Sequence, residues 1–376
     1  VALTAMVAQS FGRFAYGVIY PAVRDDLQIS NTLAALLGAS NVGAYLLGTL
    51  VVAWTAARVR LLSTFRLGMV LATMGLMIVG MSTTPIGVGL GLAIAGFGGA
   101  CVWIPAPAIA ADAMPARHRS LAVGIMGSGM GIGIVFVSLL AASQRAALGD
   151  PAWSVVYQIQ ALIAVLVLIL GLILVAHAQR APGGGAKREW FESLQRMPGW
   201  RPLLVGYATF GFMYLLIIGF LTSRLEDDSG WHSSDAAYAF TLMGSAMIVG
   251  APLFIAFSNR VGVRWALCLA FTLWPALVLA ALTGLPWLTL PAIFGLGLLF
   301  SAIPSLITVY VVQNTTLDDY GSSFAAATLA FGIAQVVSPP VGGLIADLTG
   351  AFTWVFLLSA LMGCMGLLAT ARLPRG

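Results

Sequence analysis

The sequence predicts an all-α integral membrane fold: twelve transmembrane helices arranged as two similar six-helix halves. Three observations predict it, namely a near absence of charge, apolar runs of membrane length, and a repeat that relates the two halves. Of the 376 residues, 60% are hydrophobic and only 8% are charged, and the mean hydropathy is +0.98. A soluble domain carries about 25% charged residues. So few charges cannot cover a water-facing surface, so lipid takes the place of water around much of the chain. Hydrocarbon leaves unpaired backbone groups no partner, which admits only helices or closed barrels. Barrel strands alternate over about ten residues. The apolar runs here last about 20 residues, enough for a helix to cross a ~30 Å core.

Twelve such runs can be placed in order, at 1–22, 32–55, 63–82, 86–111, 120–142 and 153–177, then 201–223, 235–257, 264–283, 287–312, 322–345 and 352–371; they are numbered spans 1 to 12. The connections are short except for 178–200, where Pro182-Gly183-Gly184-Gly185 precedes a charged stretch from Lys187 to Arg196. The chain thus divides into an N-terminal half, 1–177, a linker, 178–200, and a C-terminal half, 201–376. The first residue, Val1, already lies inside an apolar run, so the natural start is expected to precede it. No small-residue cleavage site follows span 1, which argues against a signal peptide.

Loop charge tests the count independently. Of the 18 Lys and Arg residues, fourteen fall in the even-numbered loops, the linker and the C-terminus or at the span ends that border them, three (Arg24, Arg145 and Arg224) fall in the odd loops, and one, Arg13, falls mid-span. An odd number of spans would scramble that pattern. The bias places the even loops, the linker and the C-terminus in the cytoplasm. Loop 313–321 is an exception, carrying Asp318 and Asp319 without a basic residue, but acidic residues weigh little in orientation. The pI of about 9.4 does not imply nucleic-acid binding, because the basic residues sit in short loops rather than on one soluble face. Cys101, Cys268 and Cys364 lie in apolar runs and read as small hydrophobic side chains. No CxxC or Cys/His cluster points to a metal, and no cofactor is expected.

The halves repeat. Phe11-Gly12 matches Phe210-Gly211, Gly96-x-Gly98 with Ile104-Pro105 matches Gly295-x-Gly297 with Ile303-Pro304, and Gly133 matches Gly332, all at an offset of 199. Asp25-Asp26 matches Asp227-Asp228 and Arg58 matches Arg260, at 202. Repeats of this length are expected of transporters whose halves move about a central site.

The segment Gly250 to Arg264 resembles the loop signature of the major facilitator superfamily, with Asn259 where the signature usually has Asp. The first-half copy keeps Gly48 and Arg58 but has no acid. Gly96-x-Gly98-x-Ala100 is similar to a second family motif, with Leu92 where Arg is frequent. Gly124 to Gly133 resembles the glycine-rich antiporter motif without its Gly-Pro pair, and Gln335 through Gly350 looks like the same region of the second half. Gly12-Arg13-Phe14-Ala15-Tyr16 followed by Pro21 resembles the YbfB/YjiJ branch. The likeness covers essentially the whole chain and implies the major facilitator fold and an alternating-access transporter. It also implies a gate in which Asn259, Arg260, Gly262 and Arg264 form the loop latch, weakened by the missing acid. Gly127 and Gly131 permit close contact and sliding in span 5, and Pro105 and Pro304 kink spans 4 and 10.

Arg13 is the most informative residue. It stands twelve residues before Asp25, so ~18 Å below it at 1.5 Å per residue, near the membrane centre, where an Arg costs roughly 2.5–3.5 kcal/mol. All thirteen acidic residues fall in loops or at span ends, so none is available at its depth. A planar guanidinium there invites a carboxylate, which it can hold through two hydrogen bonds. The opposing reading gives Arg13 a structural role, on helix carbonyls or facing a water-filled cavity. In the family fold, spans 1, 4, 7 and 10 and spans 2, 5, 8 and 11 line the cavity. That adds Gln9 and Tyr16 beside Arg13, Asn41 and Tyr45 one turn apart on span 2, and Trp103 in span 4. In the second half it adds Tyr214, Ser301, Ser305 and Gln335. Each alone equally serves as a packing or interhelical hydrogen-bond residue.

No Asp, Glu, Lys or His stands mid-span: His118 and His232 are in loops and His177 is at a span end. The substrate must then bring any coupled proton, or transport is exchange or facilitated diffusion. The expected cargo is a small organic anion such as a monocarboxylate. The alternative is efflux of a neutral or lipophilic compound with Arg13 structural. Efflux of cations is disfavoured by the lack of a membrane acid. An enzyme would need a nucleophile, base or metal cluster, and none is visible. A monomer is expected, in a bacterial inner membrane given the Ala/Gly/Arg-rich usage.

Overall fold

A computed structural model describes residues 1–55, 58–112, 115, 119–175 and 190–374. Arg117, His118, His177, residues 178–189 of the linker, Arg375 and the side chains of Gly124 and Gly127 lie outside the described residues. Every regular element among the described residues is helical, and eleven helices are long and apolar enough to cross a membrane. They run Asn31–Thr55, Leu61–Met81, Pro85–Trp103, Arg119–Leu148 and Ala152–Leu174 for spans 2 to 6. Spans 7 to 12 are Trp200–Ser223, Ser233–Val261, Val263–Ala281, Pro286–Asn314, Leu317–Thr349 and Thr353–Thr370. Span 1 is the twelfth, helical from Ala2 to Asp26 in three pieces: Ala2–Ala5, a π-helix at Met6–Phe14, and Ala15–Asp26. Several helices outrun the apolar stretch that the sequence marks. Span 5 reaches Leu148 and span 11 starts at Leu317, because a helix continues past the bilayer wherever its last polar turns are capped or paired.

Span 4 is interrupted. Its helix ends at Trp103 and resumes at Ala106–Asp112. Pro105 lacks the N–H that would bond back to Cys101, and its ring crowds that carbonyl. Pro304, by contrast, lies inside the unbroken helix of span 10. The segment read as a linker contains a short helix, Trp190–Arg196. Its apolar residues recur at helical spacing, so Leu194 and then Met197 are buried against span 11. Arg196 also reaches Asp319 at 3.4 Å, and Thr316 caps span 11 by accepting a hydrogen bond from the Asp319 N–H at 3.2 Å.

Two compact units emerge: Val1–Gly185 with Trp231–Thr241, and Ala186–Gly230 with Leu242–Gly376. Within each, small residues let helix backbones touch, the usual basis of helix association in lipid. A Cβ on Gly96 would stand 2.1 Å from the Asn41 carbonyl oxygen, and one on Gly48 3.0 Å from that of Phe97. The second unit repeats this crossing: a Cβ on Gly297 would meet the Met243 carbonyl at 2.4 Å, and one on Gly250 the Leu298 carbonyl at 2.2 Å. Packing therefore pairs Gly96 with Gly297, an offset of 201, rather than with Gly295 at 199 as matching of the Gly-x-Gly strings implies. The string match is displaced by two residues, because a Gly-x-Gly pattern can align with itself in two registers.

The repeated acid pair has a structural use in each unit. Asp26 accepts a hydrogen bond from the Trp153 indole at 2.7 Å, tying the end of span 1 to the start of span 6. Asp228 accepts from the Thr353 backbone N–H at 3.0 Å and its hydroxyl at 3.1 Å, tying the end of span 7 to the start of span 12. The three odd-loop arginines are each held beside an acid: Arg24 with Asp25 at 2.6 Å, Arg145 with Asp150 at 3.0 Å, and Arg224 with Asp228 at 3.5 Å. Deeper in the second unit the Trp274 indole donates to Ser359, which donates to the Met213 carbonyl, joining spans 9, 12 and 7.

Candidate functional site

In the first unit the polar centre is built on the π-helical stretch of span 1, which carries both Gln9 and Arg13. A π-turn bonds i to i+5 and so rotates side chains away from their α-helical directions; such turns recur at functional sites. The Arg13 guanidinium carbon lies 4.9 Å from the centre of the Tyr45 ring and 5.8 Å from that of Phe14. A cation over an aromatic face at this range contributes roughly 0.5–2 kcal/mol. Gln9 is buried, and its amide donates to the Tyr45 hydroxyl at 3.4 Å. Gln9, Arg13 and Tyr45 therefore form one cluster across spans 1 and 2.

Two other candidates are engaged elsewhere. The Asn41 amide donates to the Gly12 carbonyl at 2.7 Å and the Leu92 carbonyl at 2.8 Å, so one side chain on span 2 fastens spans 1 and 4. Tyr16 is buried and donates to the Ala34 carbonyl at 2.7 Å, its ring against Gly38 and edge-on to Tyr20. Trp103 is half-buried at the last turn before the break in span 4.

The second unit has its own polar pair. The Gln335 amide donates to the Tyr214 hydroxyl, and both residues are buried. Around them lies an aromatic cluster that the sequence reading missed. Phe300 stands edge-on to Tyr214 at 4.9 Å, Phe331 stacks on Tyr207 at 4.4 Å, and Phe210 stacks on Tyr214 at 5.1 Å. Tyr207, Phe210 and Tyr214 recur at helical spacing on span 7, the signal that could have found them. Ser301 and Ser305 are half-buried, and their hydroxyls bond back along their own helix, to the Leu298 carbonyl at 3.3 Å and the Ser301 carbonyl at 2.8 Å.

The loop between spans 8 and 9 borders a cavity of about 510 Å³ lined by Asn259, Gly262, Arg264 and Tyr310 among others. Gly262 has φ +90°, a conformation that strains any residue with a Cβ. Arg264 donates to the Ala371 carbonyl at 2.6 Å, closing the end of span 12. Asn259 and Arg260 are exposed. In span 5, Gly131 is buried, Gly133 packs on Ser10 and Met6, and Gly129 on the Ala2 carbonyl. Among the described residues no group of three His, Cys, Asp or Glu side chains is placed to hold a metal. Cys101 and Cys268 are buried thiols and Cys364 is exposed.

A helical membrane fold with an internal repeat and a buried polar cluster in each unit is the architecture of a membrane transporter. The comparisons with known proteins agree. The profile of the family described as "Uncharacterised MFS-type transporter YbfB" matches residues 5–371, and the chain belongs to that family of major facilitator transporters. Its family and fold are those of multi-pass membrane transporters, not of enzymes. A solved bacterial homologue of the human lysosomal transporter Spinster, in an inward-facing and unoccupied conformation, is similar with a TM-score of 0.78 at 16% identity, over 98% of this chain and 96% of that one. The occupied inward-facing form gives 0.73 at 18% identity, over 98% and 94%. Among curated proteins, human monocarboxylate transporter 6 is 28% identical over 140 residues, which is 35% of this chain and 27% of that protein. The match thus spans about a quarter of that relative's length.

Proposed function

We propose that this transporter carries a small organic anion, such as a monocarboxylate, by alternating access, and that Arg13 takes the carboxylate with Gln9 and Tyr45 beside it. The observation that carries the reading is the guanidinium of Arg13, mid-span in a π-helical segment, its carbon 4.9 Å from the centre of the Tyr45 ring. A planar, permanently charged guanidinium matches a carboxylate in both geometry and charge. The partial likeness to a monocarboxylate transporter supports the same cargo class. The Tyr214–Gln335 pair supplies hydrogen-bonding capacity within an aromatic wall in the second half. On this reading the protein is a monomer with halves 1–177 and 201–376, set in a bacterial inner membrane with its C-terminus in the cytoplasm.

The second reading, efflux of a neutral or lipophilic compound with Arg13 structural, is favoured by the aromatic cluster of Tyr207, Phe210, Tyr214, Phe300 and Phe331. Thermal stabilisation of the purified protein by a panel of small anions separates the two. A ligand that binds only the folded state stabilises by RT ln(1 + [L]/Kd), about 2.7 kcal/mol at a hundredfold excess over Kd. A carboxylate is expected to raise the Tm of the wild type and to leave Arg13→Ala unmoved. An equal response in the mutant, or none in the wild type, would transfer the argument to neutral compounds.

A further inference from the structure

We propose that the cavity between the span 8–9 loop and the C-terminus of span 10 is a binding site for the phosphate headgroup of an anionic membrane phospholipid. The cavity, about 510 Å³, is bordered by Asn259, Arg264, Tyr310, Gln313 and Asn314, and among the described residues its lining holds no Asp or Glu. One cation and three amides line it, the Asn314 amide also donating to the Tyr310 carbonyl at 2.8 Å. Among the described residues the buried Arg264 Nε has no hydrogen-bond partner, although its Nη2 is held by the Ala371 carbonyl at 2.6 Å. A buried charged donor left unsatisfied costs more than an ordinary one, and the guanidinium it belongs to lines the cavity, where an anion would offset its charge. Arg260 and Arg372, both exposed and adjacent in sequence to this wall, extend the positive field. Span 9 begins at the cavity, so its first N–H groups add to the attraction for an anion.

A free phosphate would need nothing more, but the surroundings favour a lipid. Trp265 follows Arg264 and stacks with it at 5.5 Å. Trp265, Leu269 and Leu273 are 55, 39 and 36% exposed and fall at four-residue spacing, so they share one face of span 9. An apolar ridge therefore leads from the headgroup cavity along the helix, with a tryptophan at the headgroup level, where that residue is enriched in membrane proteins. Acyl chains would lie along the ridge while the phosphate sits against Arg264.

The test uses the full chain in a neutral detergent, with native mass spectrometry to count retained lipid and thermal denaturation to measure its effect. Phosphatidylglycerol, phosphatidylcholine with the same acyl chains, and inorganic phosphate are the three probes. Phosphatidylglycerol is expected to be retained and to raise the Tm, while the other two do not. Arg264→Ala is expected to weaken phosphatidylglycerol at least about tenfold, as loss of a charge-assisted hydrogen bond does. Because Arg264 also closes span 12, Asn259→Asp serves as the second variant: the residue is exposed and the change removes no packing, yet it places a carboxylate in the wall and is expected to weaken the same lipid. The proposal is overturned if phosphatidylcholine binds as well, if both variants keep wild-type affinity, or if inorganic phosphate gives the same shift, which would make the ligand a soluble anion. No transport substrate enters the readout, so failure here leaves the Arg13 reading untouched.

Discussion

At the scale of single residues, the same polar side chain serves either a ligand or a neighbouring helix, and hydrogen-bond geometry separates the two. Asn41 and Tyr45 lie one turn apart and look alike in the sequence as candidates. The Asn41 amide is committed to two carbonyls on two other spans, whereas Tyr45 meets Gln9 and Arg13. Interhelical hydrogen bonds in membranes contribute about 0.6 kcal/mol on average and up to about 1.7. Asn41→Leu is therefore expected to cost about 1–3 kcal/mol, read as a lowered Tm in detergent. Ser305→Ala, whose hydroxyl bonds only its own helix, is expected to stay within about 0.5 kcal/mol of wild type. If the two variants denature alike, Asn41 is not a fastening residue. Arg13 stands out in the sequence by its depth alone. Its partner Tyr45 was legible only as a member of a group, because the contact depends on how spans 1 and 2 face each other.

At the scale of elements, hydrophobic runs located the spans but not their internal geometry. The π-helix at Met6–Phe14 has the composition of the helix around it, and only packing reveals it. The break after Trp103 was legible, because Pro105 enforces it locally. Pro304 carries the same chemistry without a break, so tertiary context decides the outcome. The span ends give the sharper prediction. Asp228 caps span 12 through Thr353 and neutralises Arg224, whose side chain is 7% exposed. Asp228→Ala removes a cap, worth about 1 kcal/mol, and leaves a nearly buried cation without its acid. The expected loss is about 2–4 kcal/mol, toward the lower end of values for broken buried pairs. Asp25→Ala removes the acid beside Arg24, but that carboxylate is 44% exposed, so the loss should stay below about 1 kcal/mol. Equal melting of the two variants would contradict this account of the repeated Asp-Asp pair. The sequence showed that pair as a repeat, and the structure supplies its reason: the second acid of each pair fastens the last span of its half.

At the scale of the whole molecule, the repeat was visible in the sequence but partly out of register. Acid pairs and glycine crossings set the spacing at 201 to 202, while the Gly-x-Gly strings, with the Phe-Gly, Ile-Pro and Gly133 matches, align at 199. Glycine-rich strings are poor rulers because they match themselves after a shift; a glycine pressed against a named carbonyl is a good one. Charge is the other molecule-wide signal. The odd-loop arginines Arg24, Arg145 and Arg224 each sit beside an acid at a span end, whereas the even loops carry the majority of the basic residues. Orientation follows Lys and Arg in short loops and is little affected by Asp and Glu, so the fourteen-to-three distribution should fix the topology whatever those ion pairs do. With Cys101, Cys268 and Cys364 replaced by alanine, a single cysteine at exposed Ala147, at the end of span 5, is expected to react with a membrane-impermeant maleimide on intact cells. A single cysteine at Val59, between Arg58 and Arg60 and 41% exposed, is expected to react only after the membrane is opened. Reversed labelling would mean that the chain inserts against its charge bias. Labelling of both sites on intact cells would mean that the span count between them is even, and the twelve-span assignment of the first half would have to be redrawn.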